Sequence, residues 1–343
     1  MKKIAIITLQ GMWNYGNRLQ NYAVSTVLSK KLDNISYNIL ESKYVSKPRM
    51  ILSYLIKKNL SSFRYLKFLN FNKLYSKDIV ISNSFNCNFD YVVCGSDQIW
   101  NLGNSNNSLF FGSIISKEKR IAYAASFGVS QIPDEYKENY KKKLSEMKAI
   151  SVREDSGAKI VKELTGRDVP VLIDPTMMLT KDEWCKIEKK PKFCKKNKKY
   201  IFTYFLGKVM DEYRSYIEKF AKESNCEVIN LEFYKHNKFW YRTGPREFIW
   251  LINNCTAMFT DSFHGSVFSI LMNVPFIVFD RDGNGAGMGS RIDTLLDKFD
   301  LYDRKFSNQN MQQVFKIDYS HIEPILSVER KKSIDFLKDA MEI

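Results

Sequence analysis

Residues 3–8 read KIAIIT, and after a polar turn from Gly11 to Gly16 the chain continues as NRLQNYAVSTVL over 17–28. In the second stretch Leu19, Tyr22, Ala23, Val27 and Leu28 recur at helical spacing and share one face. A short β-branched run handed by a tight turn to an amphipathic helix is the repeating unit of a parallel sheet covered by helices. The same alternation recurs along the chain. In the first half it predicts strands at 90–94 (DYVVC), 120–125 (RIAYAA), 149–152 (AISV) and 169–173 (VPVLI). In the second half it predicts strands at 200–206, 226–232, 257–260 and 275–279. The fold class expected is α/β, with two Rossmann-like, doubly wound domains.

The chain has 343 residues, more than one hydrophobic core ordinarily organises. Eight lysines fall between Lys186 and Lys199, around Pro191, with little to bury. Polar, contact-poor stretches separate domains, so the expected division is 1–187, a lysine-rich linker at 188–199, and 200–343. Residues 49–75 depart from the alternation. They are basic, rich in Tyr, Phe and Leu, and helical in period, which predicts a helical insertion packed on the first domain with a solvated basic face. Such a face also suits peripheral contact with an anionic membrane.

The 53 basic residues outnumber the 38 acidic ones, giving a net charge of +15 and favouring anionic partners. No zinc-finger spacing, ribonucleoprotein signature or basic zipper accompanies that charge, so nucleic acid is not the expected partner. The six cysteines form no CxxC pair, which argues against a zinc knuckle or a disulfide framework. No cluster of His, Cys and carboxylates has ligand spacing, so no metal is expected. Lys2-Lys3 and the short apolar run after them lack the length and cleavage site of a signal peptide. No stretch approaches a membrane span, and a cytoplasmic location is expected.

Open α/β sheets bind ligands beyond the carboxyl ends of their strands, so polar clusters just after apolar runs are the candidate site. Five occur: Asn14-Tyr15-Gly16-Asn17, Gly95-Ser96-Asp97-Gln98, Ser126-Phe127-Gly128, Arg153-Glu154, and Thr260 to Gly265. The last is the most informative. Ser262, His264 and Gly265 stand at a strand-to-helix turn whose following helix, expected over 266–273, offers free N–H groups and a positive dipole end to an anion. Of the three histidines, only His264 has this setting. The Gly-Ser-Asp turn is also ordinary loop chemistry, Arg153-Glu154 reads equally as an exposed ion pair, and Asp174-Pro175 as a simple strand end. Residues 281–291 hold four glycines and then Ser290, the expected N-cap of a helix over 291–298. Flanked by Arg281 and Arg291, this stretch has the composition of a loop able to close over an anionic donor, without the Gly-Lys-Ser/Thr ending of a Walker loop.

The ordered series NYGNRLQNYA, GSDQIWN, YAASFG, SVRE, DPTMML, TDSFHGSVFSILMNVPF and GSRIDTLL resembles the polysaccharide pyruvyl transferase family, over about residues 4 to 304. The resemblance implies two Rossmann-type domains facing across a cleft in a glycosyltransferase-B-like arrangement. It also implies transfer of the pyruvyl group of phosphoenolpyruvate onto two hydroxyls of a sugar, oligosaccharide or lipid-linked glycan, as a ketal, with no cofactor. On that basis His264 is the candidate acid, since histidine ordinarily titrates near neutral pH and can protonate the methylene carbon. Asp97 is the candidate base or orienting group for the acceptor hydroxyl. Arg153, Arg281, Arg291, Ser262 and Gly265 are expected to bind the donor, and Asn14, Asn17 and Ser96 the acceptor. Two positions depart from the pattern. Many members carry Arg-Leu-His where this chain has Ser262-Phe263-His264, and an aspartate where it has Asn17. Two other readings stand beside this one: a nucleotide-sugar glycosyltransferase of the same architecture, and a non-catalytic sugar-binding protein of glycan assembly.

Overall fold

The computed structural model describes residues 1–9, 11, 13–33, 35–41, 60–75, 79–81, 88–194, 198–231, 242–281, 289–306 and 313–343. In chain order the first half forms β1 (Lys2–Ile7), α1 (Tyr15–Lys30), β2 (Ile35–Glu41), α2 (Leu60–Tyr75), β3 (Ile79–Ile81), β4 (Tyr91–Asp97), β5 (Arg120–Ala125), α3 (Asp134–Ser145), β6 (Ala149–Val152) and α4 (Asp155–Thr165). The second forms α5 (Lys181–Cys185), β7 (Tyr200–Tyr204), α6 (Asp211–Glu223), β8 (Glu227–Asn230), α7 (Pro245–Asn253), β9 (Ala257–Thr260), α8 (Phe263–Met272), β10 (Phe276–Val278), α9 (Ser290–Lys298) and α10 (Ile322–Met341). Among the described residues no helix is long and apolar enough to cross a membrane.

The first sheet is wholly parallel, in the order β3-β2-β1-β4-β5-β6. Chain order reverses direction between β1 and β4, and that switch point is where such sheets bind ligands. Every residue of β4 is buried, as a strand covered on both faces requires. Beside it Trp100 is fully buried, stacked on Phe111 at 5.6 Å between ring centroids and tilted against Phe127 at 5.1 Å. The second sheet, also parallel, has the order β10-β9-β7-β8 and switches direction between β7 and β9. Its core is aromatic: Tyr213, Tyr216, Phe220, Phe259 and Phe279 pack against one another.

The described elements fall into two compact units whose boundaries differ from the expected ones. The first combines Met1–Val45, Asn72–Leu179 and Pro324–Ile343; the second takes in 60–71 and Thr180–Glu323. Residues 180–187 belong to the second unit because Trp184 is buried edge-on against Phe268, at 4.9 Å, and Lys181 donates to the Met272 carbonyl. The expected linker is partly packed: Pro191 is buried and Lys189 N–H bonds the Arg246 carbonyl, while 195–197 lie outside the described residues. The last helix returns to the first unit, where Arg330 donates to the Met177 carbonyl at 2.9 Å and Leu326, Leu337 and Met341 are buried.

Of the basic insertion, 49–59 lie outside the described residues. Of the rest, only 72–75 group with the first unit, and residues 60–71 with the second. There Lys67 pairs with Glu247 at 2.6 Å, and Arg64, Tyr65, Phe68 and Phe71 are buried, so part of the basic excess is packed rather than solvated. The expected strand at 169–173 reduces to one bridge between Val152 and Val171, since Pro170 has no N–H to give a ladder.

Candidate active site

In the first unit, the polar clusters after β1, β4, β5 and β6 converge at the carboxyl end of the sheet. Asn14 caps α1, its Oδ1 accepting the Asn17 N–H at 3.3 Å. That cap turns the Asn17 side chain toward β4, where its amide donates to Asp97 Oδ2. Asp97 Oδ1 accepts the Gln98 N–H at 2.8 Å and faces Arg153 Nη2 at 3.5 Å. The other arm of the guanidinium, Nη1, lies 2.5 Å from Asp174 Oδ2. Asp174 Oδ2 also accepts from Ser96 Oγ at 3.2 Å, and its Oδ1 accepts from Thr176 N–H at 2.9 Å and Thr176 Oγ1 at 2.7 Å.

Arg153-Glu154 is therefore not an exposed ion pair. Arg153 is 3% exposed and Glu154 0%. Glu154 Oε1 accepts from Ser126 Oγ at 3.0 Å, Phe127 N–H at 2.9 Å and Gly128 N–H at 3.3 Å, gathering the turn after β5. Neighbouring residues at the end of β6 thus tie down the ends of two adjacent strands. Burial by itself works against the charge of Arg153; the carboxylates of Asp174, Asp97 and Glu154 outweigh it and hold its pKa above the ordinary value. Two expectations change. Arg153, placed with the donor residues from sequence, is a cross-link between two aspartates, and Ser96, placed with the acceptor residues, is fully buried with its hydroxyl on the Ala124 carbonyl and Asp174. Asp174, read as a simple strand end, is central.

In the second unit the turn after β9 is built by hydroxyls. Thr260 Oγ1 donates to the Tyr204 carbonyl at 2.6 Å and accepts the Ser262 N–H at 3.0 Å. Ser262 Oγ caps α8 by accepting the Gly265 N–H at 3.4 Å. The helix begins at Phe263, ahead of the expected start, so His264 lies inside its first turn. The imidazole is 6% exposed and meets the Phe263 ring edge-on at 5.3 Å. Gly265 is required by packing: a Cβ there would lie 2.5 Å from Thr260 Oγ1.

Asp261 joins the ends of three strands. Its Oδ1 and Oδ2 accept the Leu206 and Gly207 N–H groups, both at 2.7 Å, and Arg281 Nε donates to Oδ2 at 3.1 Å. Beside it lies a cavity of about 170 Å³ lined in part by Arg281, Arg291, Lys305 and Gly289 at the start of α9. Asp293 and Asp280 share that wall and pair with Lys305 at 2.8 and 3.9 Å. Ser290 is the first residue of α9 rather than its cap; Gly289 holds the cap position without a side-chain bond. The glycines at 283, 285 and 287 lie outside the described residues. Among the described residues no group of three or more His, Cys, Asp and Glu side chains is placed to hold a metal.

The sequence-predicted residues thus form two groups: Asn14, Asn17, Ser96, Asp97 and Arg153 in the first unit, and Ser262, His264, Gly265, Arg281 and Arg291 in the second.

No curated protein sequence matches the chain. Among solved structures, UDP-N-acetylglucosamine 2-epimerase from Rickettsia bellii is similar with a TM-score of 0.54 and 9% identity, over 100% of this chain and 97% of that one. A Listeria monocytogenes protein provisionally assigned the same activity gives 0.51 and 12%, over 99% and 91%. At such identities the likeness concerns the fold, two Rossmann-like units of glycosyltransferase-B type, and not the activity. The model of the polysaccharide pyruvyl transferase family matches residues 14–283, from the cap of α1 through the turn that carries His264 and on past Arg281. The chain belongs to the polysaccharide pyruvyl transferase family and is a transferase.

Proposed function

We propose that the chain moves the pyruvyl group of phosphoenolpyruvate onto two hydroxyls of a sugar in a cell-surface or exopolysaccharide precursor, forming a cyclic ketal and releasing phosphate. The observation that carries this reading is His264 in the first turn of α8, at the carboxyl end of β9, with its neighbour Ser262 capping the same turn. The proton inventory closes. One acceptor hydroxyl proton is matched by the proton His264 gives to the methylene carbon, which becomes methyl; both hydroxyl oxygens bond C2; the second hydroxyl proton leaves with phosphate. Arg281, Arg291 and the N–H groups at the start of α8 supply the positive field that a phosphate and a carboxylate need. On the acceptor side, Asp97 receives or orients a hydroxyl, with Asn14 and Asn17 beside it.

A nucleotide-sugar glycosyltransferase would need a carboxylate for ribose in the second unit. Asp261 is a poor candidate, because the Leu206 and Gly207 N–H groups and Arg281 already take three of its acceptor sites and it stands three residues before His264. The acceptor, whether free or lipid-linked, is met in the cytoplasm at the inner membrane face, where the basic surplus favours anionic lipid.

The test is incubation with phosphoenolpyruvate or a panel of nucleotide sugars, each with oligosaccharide acceptors, followed by phosphate release and product mass. Phosphate release with a pyruvyl ketal on the acceptor is expected; turnover confined to nucleotide sugars would replace this reading with the glycosyltransferase. Co-sedimentation with anionic vesicles tests the membrane contact, and equal binding to neutral vesicles would remove it.

A further inference from the structure

Three ionised side chains from distant parts of the first unit meet in its interior, and they are not equally placed. Asp174 is fully enclosed, its side chain 0% exposed, with Ser96, Thr176 and Arg153 occupying both oxygens. Arg153 is 1% exposed at its side chain. Asp97, at 7%, is the most accessible of the three, and it alone sits at the mouth of the switch point with Asn17. Buried in this way, Asp174 does not meet a substrate itself, and its contact toward Asp97 runs through Arg153. The guanidinium is a rigid planar fork, so a carboxylate that fixes one arm also fixes the direction of the other. Here one arm is on Asp174 and the other on Asp97.

We propose that Asp174 is a positioning residue: through Arg153 it aims the carboxylate of Asp97 and sets how much of the guanidinium's positive charge Asp97 feels. This rests on the reading of Asp97 as the group that meets the acceptor hydroxyl. Asp97 has a φ of 68°, a left-handed backbone uncommon for a residue with a Cβ though less so for aspartate. The contacts that hold it include the Ile99 and Ser126 N–H groups on the Asp97 carbonyl, and at the side chain Asn17 from α1, the Gln98 N–H and Arg153 from the end of β6. Arg153 faces this carboxylate directly, and Asp174 and Glu154 lie on the guanidinium's other sides. Asp174 draws the guanidinium's field away from Asp97 and adds negative charge nearby. Removing Asp174 therefore makes Asp97 harder to protonate, whereas removing Arg153 makes it easier. Opposite signs from two contacting residues are what an electrostatic positioning pair produces, and a packing role does not.

The experiment follows Asp97 directly by carboxyl carbon-13 NMR of aspartate-labelled protein, with its resonance assigned by loss in Asp97→Asn. In Asp174→Asn the Asp97 midpoint moves down by about one pH unit, and in Arg153→Gln up by about as much, on the scale of a carboxylate beside an arginine. The acid limb of kcat/KM for the acceptor moves with it. Arg153→Lys keeps the charge without the fork, so the midpoint stays near wild type while kcat falls. If Asp174→Asn does not fold, Asp174→Ser, which is neutral and smaller, takes its place with the same downward shift expected. An Asp97 midpoint that stays put in Asp174→Asn or in Arg153→Gln, or moves the same way in both, overturns the proposal. Absence of phosphate release by the wild type would instead remove the pyruvyl-transfer reading, and the NMR arm would still decide whether Asp174 acts on Asp97.

Discussion

Arg281 holds Asp261 twice, donating from Nε to Oδ2 at 3.1 Å and from Nη2 to the Asp261 carbonyl at 3.0 Å. With the Leu206 and Gly207 N–H groups on the same carboxylate, the turns after β7, β9 and β10 are pinned to one side chain. Asp261→Ala leaves two backbone donors and a partly buried guanidinium without their acceptor. It is expected to cost about 3 kcal/mol, mostly from the orphaned N–H groups, because Arg281 retains some access to water. Denaturant unfolding measures it, and a loss below about 1 kcal/mol would show that water replaces the carboxylate.

His264 is the residue whose removal separates chemistry from folding. The Ser262 cap and the backbone ladder of α8 do not run through the imidazole, so His264→Ala is expected to keep the turn. Phosphate release from phosphoenolpyruvate is expected to fall by at least about a hundredfold, the ordinary yield of a positioned general acid, while the buried ring's loss lowers the melting temperature without preventing folding. Turnover retained in a folded variant would take His264 out of the mechanism.

How much of this was legible before folding depends on what each residue does. The strand-loop-helix periodicity carries the architecture, and the rule that ligands lie beyond strand ends brought Asn17, Asp97, Arg153 and His264 forward. Asp174 was missed because Asp-Pro is a sufficient local explanation of itself; only the fold brings it to Arg153, 21 residues away, and to Ser96, 78 away. Glu154 was misread for a related reason. Adjacent opposite charges are ordinarily exposed, and nothing local says that three donors from the β5 turn await this one. The unit boundary slipped because a lysine run reads as solvated, whereas its neighbours Trp184 and Ile187 anchor the segment. An amphipathic final helix fits either sheet equally well, so its return to the first unit could not be read from periodicity.

Cys94 lies in the middle strands of the first sheet, fully buried, and burial pushes its thiol up to about 12 despite the lowering influence of Arg120. The protonated form is therefore the one the fold favours. Its contribution to stability is complete below the thiol's ordinary pKa and is lost as pH rises through the raised one. Iodoacetamide near pH 8 should leave Cys94 unmodified in the native protein and alkylate it in urea, as read by peptide mass. Rapid native labelling would mean that β4 opens locally.

Ser262 and Gly265 form the turn on which His264 rides, and they fail in different ways. Ser262→Ala removes the acceptor for the Gly265 N–H at the start of α8, a loss of about 1 kcal/mol. Ser262→Gly should cost only a few tenths, roughly, because glycine tolerates the cap geometry. Gly265→Ala is the more severe change: its Cβ would come within 2.5 Å of Thr260 Oγ1, a hydroxyl that cannot retreat without dropping the Tyr204 carbonyl or the Ser262 N–H. About 1–3 kcal/mol of destabilisation is expected from that overpacking, with a fall in kcat as the helix start shifts under His264. Pairing Gly265→Ala with Thr260→Ala clears the obstruction at the price of those two bonds, so the double variant should lose less than the sum of the singles. Strict additivity in thermal unfolding would show that the alanine methyl finds room elsewhere, and that the approach of α8 to β9 is not what fixes the imidazole.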